Sequence, residues 1–310
     1  MDRKILKSII RKISRRSNIS NFILEKDYYV CLVLKDLSFK QDKIQAYFKG
    51  GTAVYKILDN FKRFSEDIDL TVKVNNDESN NSNKTRLKKS ALGYNIPDLE
   101  LIKEETIDKK GSITVFYKYE SLFGIGNLFK FGKIQIESTS FTVSEPVTVY
   151  EIEPLIYKYA TDDEKKILKE YGISPFNIET ITLERIFVDK IFAAEFYFER
   201  EMYRDFAKHI YDIVTMSDDD KINDLLNKKA YFLKLIEYKK QEEKIRLGGI
   251  PDNKRILDFN YLKLHFGREV SQALNEMQKI YVFDDANKMT INYVEKALSE
   301  LVEKLKIILN

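Results

Sequence analysis

The chain has 310 residues, more than one ordinary domain and fewer than three, so two packed units are expected. With 44% apolar and 33% charged residues it is not a disordered or collagen-like chain, and 52 Lys and Arg against 49 Asp and Glu leave a net charge of +3, which excludes a uniformly basic coat for nucleic acid. A single cysteine, Cys31, excludes an internal disulfide, and two histidines, His209 and His265, are too few for a zinc cage, so the chemistry must use carboxylates, lysines or hydroxyls.

Residues 1–20 read as a basic amphipathic helix without the continuous apolar stretch of a signal peptide. Lys4, Lys7, Arg11, Lys12, Arg15 and Arg16 oppose Ile5, Ile9, Ile10 and Ile13. That face fits a solvated helix docked by its isoleucines, and it also fits a membrane-surface or RNA-contacting helix. No later segment approaches the roughly 20 apolar residues that span a bilayer, so no membrane partner and a soluble, cytoplasmic chain are expected. From about residue 45 to 153 short β runs alternate with helices, with candidate strands at 46–49, 68–74, 99–106, 112–119, 133–141 and 147–152. The polar run 75–83 reads as a mobile loop. In Lys133-Ile134-Gln135-Ile136-Glu137 the isoleucines alternate with polar residues, which puts Gln135 and Glu137 on one face of the strand. After Pro154 the pattern becomes almost wholly helical, with helices expected over 183–198, 201–216, 221–247 and 290–309. An α+β architecture follows: a mixed-sheet unit with flanking helices over residues 1–153, then a helical domain over 154–310.

The chemistry concentrates in Phe48-Lys49-Gly50-Gly51-Thr52-Ala53 and Arg63-Phe64-Ser65-Glu66-Asp67-Ile68-Asp69-Leu70. Acid-x-acid triplets are cheap, since chance alone gives roughly eight in a chain this acidic. What distinguishes Asp67 and Asp69 is their alternation with Ile68 and Leu70, which projects both carboxylates from one face of a strand. Carboxylates so close repel unless a divalent cation lies between them, and magnesium takes such ligands together with water and substrate phosphates. Gly50-Gly51 opens a helix after a short strand, where glycine permits close backbone approach and the helix start offers N–H groups to a phosphate. A Gly-Gly pair alone is weak evidence, but strand, Gly-Gly, helix, then Ser-x-Asp-x-Asp is specific.

These two strings resemble the signature of the AbiEii/AbiGii-type toxins of the polymerase-beta-like nucleotidyltransferase superfamily. Upstream, Leu24-Glu25-Lys26-Asp27-Tyr28-Tyr29-Val30 is similar to that family's N-terminal helix. Downstream, Glu184-Arg185-Ile186-Phe187-Val188-Asp189-Lys190 and Lys208-His209-Ile210-Tyr211-Asp212-Ile213 resemble its two helical motifs. The likeness covers about residues 22–216 and leaves the C-terminal third uncovered. It implies a nucleotidyltransferase-like fold in which Asp67 and Asp69 are magnesium or manganese ligands and Gly50, Gly51, Thr52 and Ser65 cradle the triphosphate of an NTP substrate. Lys190 is then a triphosphate-neutralising cation and Asp212 an essential acid, both contributed to the cleft by the helical domain. The third superfamily carboxylate has no clear local motif, and Glu137 is the candidate. Fifteen residues lie between Gly51 and Asp67, slightly more than in the shortest superfamily members.

Read on their own terms, Lys190 sits on an otherwise apolar helix face and needs an anionic partner, in a structural salt bridge or in a cleft. Lys208, His209 and Asp212 share one helix face, as a surface ion-pair cluster or as a wall of the active site. Glu25, Lys26 and Asp27 form a helix-packing network or a second nucleotide contact. The functional expectation is metal-dependent transfer of NMP from an NTP to an acceptor hydroxyl. The resemblance points to RNA, such as a tRNA 3′ end, for the toxin of a toxin-antitoxin or phage abortive-infection pair with a cognate antitoxin. The alternatives are transfer to a protein or small-molecule hydroxyl, and a catalytically silent nucleotide- or partner-binding module.

Overall fold

A computed structural model describes residues 1–58, 62–75, 77–124, 132–264 and 266–309, so His265 lies outside the described residues. The chain divides into two compact units: residues 1–57 with 64–181, and residues 58–63 with 182–310.

The first unit opens with α1 (Arg3–Ser17), α2 (Asn21–Ser38) and α3 (Gln41–Ile44), followed by β1 (Ala46–Lys49), α4 (Gly50–Ile57) and β2 (Ile68–Val72). Next come α5 (Asn80–Leu92), β3 (Glu100–Leu101), β4 (Ile107–Lys109), β5 (Ser112–Lys118), β6 (Lys133–Thr139) and β7 (Val147–Ile152), then α6 (Leu155–Lys158), α7 (Asp162–Glu170) and β8 (Phe176–Ile181). Among the described residues they form one mixed sheet in the order β3-β5-β6-β2-β1-β8-β7, with β4 paired to β5. One face is apolar: Phe48, Ile68, Leu70, Ile113, Val115, Ile134 and Ile136 are buried. Helices α2 and α5 lie against the strands, and Tyr117 on that face donates its hydroxyl to the Ala91 carbonyl of α5 at 3.0 Å. On the opposite face Asp69, Thr114, Phe116, Lys133, Gln135 and Glu137 are only half-buried, while Thr71 and Thr139 are covered, so that face is open over part of its length. Helix α1 docks through Leu6, Ile9, Ile10 and Ile13, while Ile5, expected in the same stripe, is exposed.

Three expectations for this part of the chain are corrected. Residues 99–106 carry only the two-residue strand β3 and then a short helical turn at 103–105. The polar run 75–83 becomes helical at Asn80, because Ser79 caps the backbone N–H of Ser82 and α5 buries Arg86, Leu87, Ser90 and Ala91 on one side; so few apolar residues leave little periodicity to read. Beyond Pro154 the chain is not wholly helical: β8 pairs parallel with β1 and antiparallel with β7, so the first unit runs on to Ile181 rather than ending at 153.

The second unit holds α8 (Leu183–Phe198), α9 (Tyr203–Ser217), α10 (Asp220–Leu225), α11 (Lys229–Ile245), α12 (Arg268–Tyr281) and α13 (Ile291–Leu309). Helix α9 packs against α8, α12 and α13. Where one helix was expected over 221–247, the chain breaks between α10 and α11. Among the described residues no helix is long and apolar enough to cross a membrane.

Candidate active site

The sequence from Phe64 to Leu70 alternates strictly: Phe64, Glu66, Ile68 and Leu70 are buried, while Ser65, Asp67 and Asp69 are half-open. The predicted carboxylate pair therefore projects from the open face. In the ladder Asp69 is in register with Lys49 of β1 on one side and Glu137 of β6 on the other, and Glu137 is in register with Thr114 of β5. Paired residues of neighbouring strands share a face, so Lys49, Asp69, Glu137 and Thr114 form one row across the sheet. Register thus brings Glu137, which had no motif of its own, beside the aspartate pair.

Gly50 has φ +81° at the junction of β1 and α4, a conformation that favours glycine. A Cβ there would lie 1.9 Å from Asp69 Oδ2, so the carboxylate rests directly on the bare backbone. Thr52, fully buried, donates its hydroxyl to the Asp67 carbonyl at 2.5 Å and ties the start of α4 to the chain entering β2. That hydroxyl anchors Asp67, whereas Ser65 lies on the half-open side with the carboxylates.

Asp67, Asp69 and Glu137 supply three carboxylates on one face, the ligand type a magnesium or manganese ion accepts. The donor set fits such an ion in kind. Among the described residues, however, no three His, Cys, Asp or Glu side chains are gathered closely enough to enclose one.

The motif at 24–30 has become interior scaffolding. Glu25, Lys26 and Asp27 are at most 1% exposed. Glu25 accepts from the Ser121 hydroxyl at 2.6 Å and the Leu122 N–H at 2.7 Å. Lys26 pairs with Glu66 at 3.3 Å and donates to the Lys133 carbonyl, bracing the segment that leads through Asp67 into β2 against the start of β6. Asp27 accepts from Lys56 at 2.6 Å, the Tyr55 hydroxyl at 2.8 Å and the Leu155 N–H at 2.7 Å. Burial works against the Lys56 ammonium, yet the Asp27 carboxylate and the Cys31 sulfur together outweigh it and raise the lysine. Of the two readings of this motif, the packing network is the one the contacts describe.

In the second unit Asp212 on α9 is buried and takes the Arg63 guanidinium in a fork, Nε to Oδ1 and Nη2 to Oδ2, both at 2.6 Å. Lys190 on α8 reaches the same carboxylate at 2.9 Å. Burial alone would raise Asp212, but the two cations hold it well below the usual carboxylate range. His209 stacks on Tyr197, and burial, followed by the Lys190 ammonium, pushes its imidazole well below 6.5. Lys208 pairs instead with Asp205. Sequence reasoning missed Arg63, although it lies two residues before Ser65 in the signature string; its signal was a cation among buried neighbours. It also missed Arg185, buried and paired with Asp189 and with Glu242 of α11.

The model of the family described as the nucleotidyl transferase AbiEii toxin of type IV toxin-antitoxin systems matches residues 32–281. The chain belongs to that family. It is therefore a nucleotidyltransferase toxin, and the family match runs past residue 216 through α12. Among solved structures, the MenT4 nucleotidyltransferase toxin of Mycobacterium tuberculosis is similar at 15% identity and a TM-score of 0.52, over 94% of this chain and 98% of that one, a likeness of fold. A candidate nucleotidyltransferase from H. pylori overlaps 84% of this chain and 99% of its own at 14% identity, but its TM-score of 0.34 carries no argument. No curated protein matches the chain.

Proposed function

We propose that this toxin transfers NMP from an NTP to the 3′ hydroxyl of an RNA, a tRNA 3′ end in particular, in a magnesium- or manganese-dependent reaction that releases pyrophosphate. The observation that carries the reading is the row of Asp69 and Glu137 beside Asp67, set directly against the Gly50 backbone. In the reaction the acceptor oxygen bonds to the α-phosphorus, the bond from that phosphorus to the bridging oxygen breaks, and the hydroxyl proton passes to a carboxylate of the row.

Asp67, Asp69 and Glu137 would hold the divalent ion, which when bound supplies positive charge to the phosphates and lowers the pKa of the acceptor hydroxyl. The backbone N–H groups that open α4 at Gly50 and Gly51, and the Ser65 hydroxyl, are the proposed donors to the triphosphate. Thr52 positions Asp67 through its carbonyl. Lys190 and Asp212 enter the proposal as residues required for turnover, with Asp212 holding Lys190 and Arg63 in fixed places. The family description, a type IV toxin-antitoxin system, implies a cognate antitoxin, and a role in phage abortive infection belongs to the same proposal.

Incubation with α-labelled NTPs and separate RNA, protein and small-molecule fractions tests the acceptor. Label is expected in RNA, lost on chelation of divalent ions; label in protein alone would overturn the RNA assignment.

A further inference from the structure

The open face continues past the acid row. Gln135 lies one residue before Ile136, the register partner of Ile68, and Asp67 lies one residue before Ile68. Gln135 is in register with Phe116 of β5, and the next open-face pair along the same two strands is Lys118 and Lys133. Phe116, Gln135 and Lys133 are half-buried and Lys118 is exposed. Moving away from Glu137, the surface therefore presents carboxylates, then an aromatic ring beside an amide, then two ammonium groups. Lys118 pairs with Glu100 and Lys133 with Glu105 in solvent-exposed contacts, which water screens and a phosphate can replace, and the Lys133 ammonium also lies 6.0 Å from the centre of the Phe116 ring, at the edge of the same patch.

The cradle at Gly50 and Gly51 follows β1, on one side of β2, while Phe116 and Gln135 lie on β5 and β6, on the other. An in-line displacement places the attacking oxygen opposite the leaving pyrophosphate. The acceptor must therefore enter from the β6 and β5 side. We propose that Phe116 and Gln135 form the subsite for the terminal nucleobase of a single-stranded RNA acceptor, with Lys118 and Lys133 receiving the phosphate on its 5′ side. The ring supplies a stacking surface that every base can use. The Gln135 amide carries both a donor and an acceptor and can read a base edge. This inference rests on the proposed transfer to RNA.

Fluorescence anisotropy with a labelled single-stranded oligoribonucleotide, with magnesium and without NTP, tests the subsite independently of turnover. Phe116→Ala is expected to weaken binding about tenfold, the loss of one stacked base. Phe116→Leu, which restores volume without the ring, should weaken it similarly, and Phe116→Trp should stay within about threefold of wild type. In transfer assays Phe116→Ala should raise KM for RNA with KM for NTP unchanged, and Gln135→Leu should change the preferred terminal nucleotide. Wild-type affinity in both the Ala and Leu variants, at unchanged melting temperature, overturns the subsite, as does a KM effect on NTP alone. Absence of any incorporation into RNA by the wild type sinks the proposed reaction, while the anisotropy result still decides the subsite.

Discussion

Gly50→Ala is the most informative single substitution, because one added carbon meets the candidate metal ligand directly. Its Cβ would stand 1.9 Å from Oδ2, 2.7 Å from Cγ and 2.8 Å from Cβ of Asp69. Restoring ordinary contact requires the carboxylate to move by about 1.5 Å, and a displacement near 1 Å at a reacting centre can cost on the order of 100-fold in rate. The same change forces alanine into the left-handed region at φ +81°, worth about 1–2 kcal/mol. For the first unit, which falls in the size range of about 150–250 residues, that is a fall of about 2–8 °C in melting temperature. The variant should therefore stay folded and lose at least 100-fold in NMP incorporation, measured with labelled NTP under single-turnover conditions beside a thermal melt. Incorporation within about threefold of wild type would refute the idea that Asp69 acts from the position it occupies against Gly50.

The buried charges make further predictions. Asp212→Ala leaves the Arg63 and Lys190 cations without their shared anion and should destabilise the second unit by about 3–5 kcal/mol, read by urea denaturation; a loss under 1 kcal/mol would contradict the buried fork. Arg63→Lys should retain only part of that stability, since an ammonium cannot reproduce the two-point contact, and a wild-type unfolding midpoint would show that charge alone suffices. His209 has a folded pKa below its unfolded one, so the unfolded chain binds more protons and stability falls as pH drops through 6.5. Between pH 7.5 and 5.5 this single group should contribute about 1 kcal/mol of loss, which His209→Gln should abolish; parallel pH profiles for wild type and variant would exclude it. Asp27→Ala should destabilise the first unit by about 3–5 kcal/mol by stranding the Lys56 ammonium, whereas Lys56 and Asp27 replaced together by Met and Leu should lose less, the remaining cost being the unpaired Tyr55 hydroxyl and Leu155 N–H; equal losses in the two variants would contradict the buried pair.

Period-two alternation was enough to put Asp67 and Asp69 on one side of a strand and Gln135 and Glu137 on one side of another, because side-chain direction in a strand is a local property. The pairing of Asp69 with Glu137 is not local: it depends on the register of β2 against β6, strands separated by α5 and three further strands, which no short string encodes. Gly50 was legible as permissive backbone, but the carboxylate that makes glycine obligatory there comes from β2. The same limit explains β8. Phe176 to Ile181 is too short to reveal its pairing by composition, and its place beside β1 moves the unit boundary beyond Pro154. Arg63 was visible as a residue and invisible as a partner, since Asp212 lies far along the chain and the fork exists only once α9 has folded. Lys190 was expected to need an anion, and Asp212 provides it.

The central claim is that Asp67 and Asp69 support nucleotidyl transfer to RNA. Wild-type protein and Asp69→Asn, which keeps the shape of the side chain and removes its charge, can be incubated with α-labelled NTP, magnesium and total RNA, with folding checked by thermal melts. Wild type should label RNA and Asp69→Asn should label none at an unchanged melting temperature. Equal labelling by the two proteins would contradict the account.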